Sequence, residues 1–212
     1  AVDKKPSVRE VYVKRLVELG NFSEEKAKEI EQARRRVLED ALDAIRGQSH
    51  TPIEILVGDN ASVDDTRPIL EHATAPDERR YFATNLGFSA AHNALIRASR
   101  GEFYLSLNPD VVLDPAFVAR LVEALRAQPR AGSAAGKLRR QAPSTVLDST
   151  GIVMRRSQRH LDRGAGEPDR GQYERPELVF GVTGAAGFYR RAMLEDIRIE
   201  GEYFDEDFFA YR

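Results

Sequence analysis

The sequence predicts an α/β fold, a mostly parallel sheet with helices on both faces. Three observations carry that expectation. Short apolar runs at Ile53-Glu-Ile-Leu-Val57, Arg80 to Ala83 and Phe103 to Leu107 have the length of strands. Helical patterns of roughly ten residues separate them, the spacing of crossover connections rather than hairpins. The stretch Leu105-Ser-Leu-Asn-Pro-Asp-Val-Val-Leu113 alternates and then stops at Asn-Pro-Asp. Pro109 has no N–H to give to a ladder, so the strand ends there and delivers Asp110 to the carboxyl edge of the sheet. Open α/β sheets bind ligands at that edge. An Asp that only organises a turn is the simpler alternative for Asp110.

Ahead of the first strand, residues 7 to 46 read as helix. Val11, Leu16, Val17 and Leu19 share one face, and Gly20-Asn21 is a stop signal. Ser23 can cap a second helix with Glu24 and Glu25 in its first turn, running to about Arg46 and ending at Gly47. Its apolar stripe begins only at Val37 and continues through Leu38, Leu42 and Ile45. The predicted division is a helical N-terminal segment, 1–36, before a domain covering 37–212.

Gly58-Asp59-Asn60 breaks the first strand, and Ser62 and Asp64 are candidate caps for a helix around 65 to 73. After the strand near 80 to 83, Asn85-Leu-Gly-Phe-Ser-Ala-Ala-His-Asn93 leads into a helix reaching Ser99, which Gly101 stops. Ala116 to Ala127 is amphipathic, with Phe117, Leu121, Val122 and Leu125 on its apolar side. Gly136 to Arg140 is a candidate strand. Arg155 to Glu177, rich in Arg, Gly, Asp and Pro, reads as one long loop of the kind that is often functional. A run of small residues, Gly181 to Gly187, precedes a short helix at Arg190 to Asp196.

Composition narrows the function. The 212 residues suffice for one large domain with a substantial core. A net charge of -2 offers no electrostatic case for nucleic acid. There is no cysteine, which excludes disulfides and thiol catalysis. No apolar stretch approaches the ~20 residues of a membrane span. The chain reads as cytoplasmic, with peripheral membrane contact left open. His50, His72, His92 and His160 show no metal-ligand spacing.

Four blocks stand in order: Ile55-Leu-Val-Gly-Asp-Asn-Ala-Ser62, Asn85-Leu-Gly-Phe88 with Asn93, Gly101 through Asp110, and Gly184-Ala-Ala-Gly-Phe-Tyr-Arg190 leading to Phe204-Asp-Glu206. Over residues 37 to 212 they closely resemble the family 2 glycosyltransferases of the GT-A fold, a Rossmann-like architecture, and in particular its rhamnosyltransferase-like branch. The resemblance implies inverting transfer of a sugar from a nucleoside-diphosphate donor to an acceptor hydroxyl, on a glycan or lipid-linked acceptor. The implied nucleotide-sugar site comprises Asp59, Asn60, Ser62, Asn85, Gly87, Asn93, Asn108 and Gly184. Asp59 would bind the base or ribose, with an Asx-turn as its alternative reading. Gly87 would allow close backbone approach, and Asn93 would cap a helix or contact the donor. Asp110 takes the place of the last acid in the family's Asp-x-Asp motif, with Asn108 at the first. It is the implied metal ligand for Mg²⁺ or Mn²⁺, hard cations that need only one or two carboxylates and that neutralise a diphosphate leaving group. Arg155, Arg156, Arg159 and Arg163, with His160, form either a diphosphate clamp or a solvated basic loop.

Two departures temper the resemblance. The family's first strand is central, between those ending at Asp59 and Asp110. Here the charged stretch Glu29-Ile-Glu-Gln-Ala-Arg-Arg-Arg36 stands in its place. Its loss leaves ladder groups that must close up, recruit another segment or stay open. Residues 8 to 36 are instead similar to a helical hairpin of the E1 component of 2-oxoglutarate dehydrogenase. The chain also stops at Arg212, short of the family's Glu-Asp pair that supplies the general base. The expectation is therefore an incomplete, truncated domain, with Asp205, Glu206 and Asp207 as weak substitutes for the base and structural roles favoured for all three. The alternative reading is a non-catalytic nucleotide- or protein-binding remnant of the same fold. A nucleotidyltransferase is disfavoured because no Gly-rich, Lys-containing activation loop is present.

Overall fold

A computed structural model describes residues 23–141 and 144–208. The first helix of the expected hairpin lies outside the described residues. Helix α1 spans Glu24–Arg46, bounded as its caps require: the Ser23 hydroxyl accepts the Lys26 N–H at 3.1 Å, and Gly47 closes onto the carbonyls of Asp43 and Ile45. It runs unbroken across position 36. Its first half projects exposed charge, and only its second half is buried, through Ala41 and Leu42. Full burial of a leucine stabilises by about 1.5–3 kcal/mol, so the stripe beginning at Val37 is what docks this helix.

The α/β core follows. Strand β1 (Val57–Asp59), helix α2 (Thr66–Ala73), strand β2 (Arg79–Tyr81), helix α3 (Gly87–Ala98), strand β3 (Phe103–Leu107) and helix α4 (Phe117–Ala127) alternate along the chain. Strand β4 (Ser133–Ala135) and strand β5 (Leu138–Arg139) precede β6 (Leu147–Ser149), β7 (Ile152–Met154) and β8 (His160–Asp162). Strand β9 (Ala186–Arg190) runs directly into helix α5 (Arg191–Asp196).

Strands β1 and β2 pair in parallel. Strand β9 lies antiparallel between β3 and β4. Two small antiparallel pairs, β5–β6 and β7–β8, form a lobe beyond them. Hydrogen-bonded pairing among the described residues is thus parallel at β1–β2 only, because β1 and β3 are not bonded to each other or to a strand between them. The same gap explains why the apolar run at 53–57 forms a ladder only from Val57 onward: an extended segment is a strand only where it has a neighbour.

The central sheet is covered on both faces. One face of β3 and β9 packs Tyr104 and Tyr189 against Leu95 and Ile96 of α3 and Leu194 of α5. The other packs Phe103, Leu105 and Phe188 against Val118, Leu121, Val122 and Leu125 of α4. The Phe103 and Phe188 rings stack at 5.2 Å. This alternation of side chains along β3 is the period-2 pattern that its sequence announces.

Candidate active site

Strand β1 carries Asp59 to its carboxyl end and buries it to 2% exposure. Oδ1 accepts the Ser62 N–H at 3.0 Å, so a turn does form here. Within it Ala61 takes φ 61°, a left-handed conformation costing a non-glycine residue about 1–2 kcal/mol. The second oxygen, Oδ2, is buried and accepts no hydrogen bond. Arg67 Nε stands 3.9 Å from it, with the guanidinium 4.3 Å above the Tyr81 ring. Arg67 lies in the first turn of α2, where positive charge opposes the helix dipole. Its contacts with Asp59 and Tyr81 offset that cost.

Asn60 joins this turn to the loop before α3. Its Oδ1 accepts the Leu86 N–H at 2.7 Å and its Nδ2 donates to the Gly87 carbonyl at 3.0 Å. Asn85 accepts the Gly87 N–H at 2.9 Å. Gly87 holds φ 78°, the left-handed region that glycine enters without a Cβ penalty. Asp59, Asn60, Ser62, Asn85 and Gly87 therefore form one connected unit.

A second unit stands at the end of β3. Ser106, fully buried, donates to the Gly184 carbonyl at 3.2 Å, and the Asn108 N–H donates to the Ala185 carbonyl at 2.9 Å. The small residues of 181–187 let that segment lie directly against the strand end. Asp110 follows in an exposed turn, its carbonyl 3.5 Å from Gln141 Nε2. Its carboxylate takes no hydrogen bond or ion pair among the described residues. Asn60 and Gly87 of the first unit and Asn108 of the second line the same cavity, of about 770 Å³.

Three groups of candidate site residues are engaged elsewhere in the fold. Asn93 is completely buried, and its amide is spent on the segment 203–206. That is a packing role, and it leaves no group over for a donor. Asp205 caps the Asp207 N–H at 3.0 Å, while Glu206 binds Asn93 at 2.9 Å and lies 3.7 Å from Arg97. No hydrogen bond or ion pair joins these acids to Asp59, Asn108 or Asp110. The stretch 155–177 is not one open loop: its start turns between β7 and β8, with Arg155 N–H bonded to the Arg159 carbonyl. Arg163 is drawn away from any clamp by Glu177, Thr150 and the Tyr173 ring.

One pair escaped the sequence reading. His92 Nδ1 lies 2.8 Å from the Tyr104 hydroxyl, between α3 and β3. Burial lowers the His92 pKa from 6.5 to about 4, and burial followed by the neighbouring Tyr189 pushes the Tyr104 phenol up. The only sequence signal is the helical offset of His92 from Phe88, whose ring it meets at 4.3 Å.

Among the described residues no three His, Asp or Glu side chains group to hold a metal ion. Asp110 fits a divalent cation in a narrower sense: one free, hard oxygen ligand at a strand end, suited to an ion that takes its remaining ligands from water and phosphate. Also among them, no helix is long and apolar enough to cross a membrane.

Comparison with known proteins places this geometry. The sequence profile of Glycosyl transferase family 2 matches residues 32–198. An uncharacterised glycosyltransferase of Nostoc sp. is 34% identical over 91 residues, 42% of this chain and 28% of that protein. A mannosyltransferase from Pyrobaculum calidifontis, solved in complex with GDP-Man and Mn²⁺, superposes with TM-score 0.52 at 21% identity, over 76% of this chain and 43% of that one. TarS from S. aureus, solved in complex with UDP, gives TM-score 0.54 at 18% identity, over 81% and 47%. These neighbours share with this chain the α/β GT-A fold. The chain spans less than half the length of each of these relatives.

Proposed function

The chain belongs to glycosyl transferase family 2, and from that premise we propose that it binds a nucleoside-diphosphate sugar and transfers the sugar to an acceptor hydroxyl. The observation that carries this reading is that two strand-end acids, Asp59 and Asp110, each adjoin in sequence a residue that lines one cavity. Asp59 offers a buried carboxylate oxygen with no hydrogen bond, and Asp110 a free one. Their chain neighbours Asn60 and Pro109, with Gly87 and Asn108, line that cavity. An unsatisfied buried acceptor is costly, and a ligand N–H or hydroxyl is the group that would relieve it.

In the proposed reaction the acceptor oxygen bonds to the anomeric carbon as the bond to the diphosphate oxygen breaks, with inversion. The acceptor proton passes to a base. Asp59 and the Asn60–Gly87 unit hold the nucleoside, and Asn108 and Gly184 border the sugar. Asp110 would hold a Mg²⁺ or Mn²⁺, which when bound supplies neutralisation of the departing diphosphate. The GDP-Man, Mn²⁺ and UDP named with the two structural neighbours support a nucleotide-sugar donor and a divalent cation. Rhamnose as the donor sugar, a glycan or lipid-linked acceptor, cell-envelope polysaccharide assembly and a membrane-peripheral location complete the proposal.

A second reading, binding without transfer, is favoured by one observation. Glu206 is bonded to Asn93 and lies 3.7 Å from Arg97, and it is not among the residues that line the cavity. Calorimetry with UDP-, GDP- and dTDP-sugars, with and without Mn²⁺, tests both. Metal-dependent binding that Asp110→Ala abolishes is expected, and no binding at millimolar donor would remove both readings. Transfer to an added acceptor separates the first from the second.

A further inference from the structure

Residues 154–160, Met-Arg-Arg-Ser-Gln-Arg-His, carry three arginines and no acid. They close the β7–β8 hairpin in a defined turn. The Gln158 N–H donates to the Arg155 carbonyl at 2.8 Å, and the Arg155 N–H to the Arg159 carbonyl at 3.0 Å. Gln158 takes φ 60°, the left-handed residue that follows the tight turn of a three-residue hairpin loop. Arg156 therefore stands at the tip, with Arg155 and Arg159 at its neck. All three are exposed, and their side chains take no hydrogen bond or ion pair among the described residues. Of the acids flanking the hairpin, Glu177 is engaged by Arg163, and Asp162 stands opposite Ile152, at the end away from the turn.

The segment 178–181 runs along the other edge of β7. The Phe180 N–H donates to the Ile152 carbonyl at 3.0 Å, and the Ile152 N–H to the Gly181 carbonyl at 2.9 Å. Val179 turns inward over Gly151, where an added side chain would meet it at 3.1 Å. Leu178 and Phe180, on either side of it, turn outward to 92% and 60% exposure. The Phe180 ring meets His160 at 5.4 Å, and Met154, the register partner of His160, is exposed as well. One exposed leucine means little on a protein surface. Here three apolar side chains accompany a basic turn on one short ribbon.

That combination selects a partner. A nucleic acid or an acidic protein answers the guanidiniums but offers nothing to Leu178 and Phe180. The interface of an anionic bilayer answers both: its phosphates pair with arginine, and its acyl boundary takes up apolar side chains. Three arginines, at about fivefold in affinity each, fall short of stable attachment, which takes a second signal. The apolar side chains are that signal.

We propose that the β7–β8 turn, with Leu178 and Phe180, forms a surface that docks this chain on an anionic lipid bilayer. The proposal rests on the membrane-peripheral location stated above and assigns it residues. The docked segment continues to Gly184, whose carbonyl accepts from Ser106 in β3, so one short stretch of chain joins the lipid surface to the strand end.

The chain has no tryptophan, so Phe180→Trp introduces a single reporter of its own surroundings. The probes are vesicles of equimolar phosphatidylcholine and phosphatidylglycerol, and vesicles of phosphatidylcholine alone. Saturable sedimentation with the mixed vesicles is expected, weakened by salt, with blue-shifted indole emission that brominated acyl chains quench. Arg155→Gln, Arg156→Gln and Arg159→Gln together should weaken binding on the order of a hundredfold. Leu178→Ser should weaken it about tenfold and leave the salt dependence unaltered. Equal binding of the triple-glutamine variant, or equal binding to phosphatidylcholine alone, would overturn the proposal. Binding without acyl-chain quenching would also overturn it, and heparin affinity undiminished by Leu178→Ser would then assign the turn to an acidic macromolecule. Every substituted side chain is exposed, so melting temperatures should not move. Donor titration of the same variants reads the strand-end site separately, so either idea can fail alone.

Discussion

Asn93 Nδ2 donates to Glu206 Oε1 at 2.9 Å, joining the middle of α3 to the acidic segment far along the chain. The same nitrogen donates to the Phe204 carbonyl at 2.7 Å, and Oδ1 accepts the N–H groups of Tyr203 and Phe204 at 3.2 and 2.9 Å. With the side chain fully buried, one amide satisfies four partners. Asn93→Leu keeps the volume and strands those partners, at about 1–3 kcal/mol for each one left buried without water. A loss on the order of 3 kcal/mol in urea unfolding is expected. Asn93→Asp keeps the acceptor but sets a carboxylate against Glu206, and should be at least as damaging. A change under about 1 kcal/mol in both would show that the aromatic contacts of Phe204 hold this segment instead.

The His92 site makes stability depend on pH with a definite sign. The folded state takes up this proton only near pH 4, whereas the unfolded chain takes it up near 6.5. Between those values the unfolded state binds more protons, so the contribution is complete above about 6.5 and is lost as pH falls toward 4. At 1.36 kcal/mol per unit the ceiling is about 3 kcal/mol. His92→Phe retains the ring packing against Phe88 and Phe204 and removes the titration. The melting temperature of the parent chain should therefore fall further than that of the variant as pH drops from 7 to 5. Parallel curves would show that other groups set the acid sensitivity.

Legibility from sequence followed the range of the interactions. The ends of α1 were readable because Ser23 and Gly47 act on residues three or four away. Strand β3 was readable because its alternation and Pro109 are contiguous. The run at Ile53–Val57 has strand composition, yet most of it forms no ladder, since a ladder is a property of two segments. Strands β4 and β9 are built from Ala and Gly beside Phe188, with too little alternation to announce themselves. In the site, Asp59 and Asp110 stand out because strand ends are local features. Arg67, Ser106 and the His92–Tyr104 pair depend on partners brought in by the fold. Asn93 misled for the same reason: its partners lie more than a hundred residues away.

Asp59→Asn separates recognition from folding at the end of β1. Oδ1 remains to accept the Ser62 N–H, so the turn around Ala61 should persist. The other oxygen becomes an NH₂ facing Arg67, a donor where the parent chain presents an acceptor. Nucleotide-sugar affinity should fall about tenfold or more, equivalent to ~1.4 kcal/mol, while the urea midpoint moves little. Unaltered affinity would exclude Asp59 from the donor site. A large stability loss would mean that Arg67 binds the buried oxygen for structural reasons alone.

Lys137 governs a different property, the attachment of the 169–174 segment. Its ammonium has three donors, and they reach Asp169 Oδ1 at 3.1 Å, the Gln172 carbonyl at 3.0 Å and Glu174 Oε1 at 2.5 Å. The Gly171 N–H and then Lys137 hold the Asp169 carboxyl below the usual carboxylate range. Lys137→Met keeps the aliphatic stem and removes all three bonds, which leaves the poorly exposed Asp169 carboxylate without its cation. Local opening should then free the backbone around Arg170, and trypsin should cleave the Arg170–Gly171 bond severalfold faster at little cost to global melting. Lys137→Arg keeps the charge in a planar fork that cannot point at three separate acceptors, so it should restore only part of the protection. Cleavage at the parent rate in Lys137→Met would mean that Arg163, through Glu177 and the face of Tyr173, is sufficient to hold this segment down.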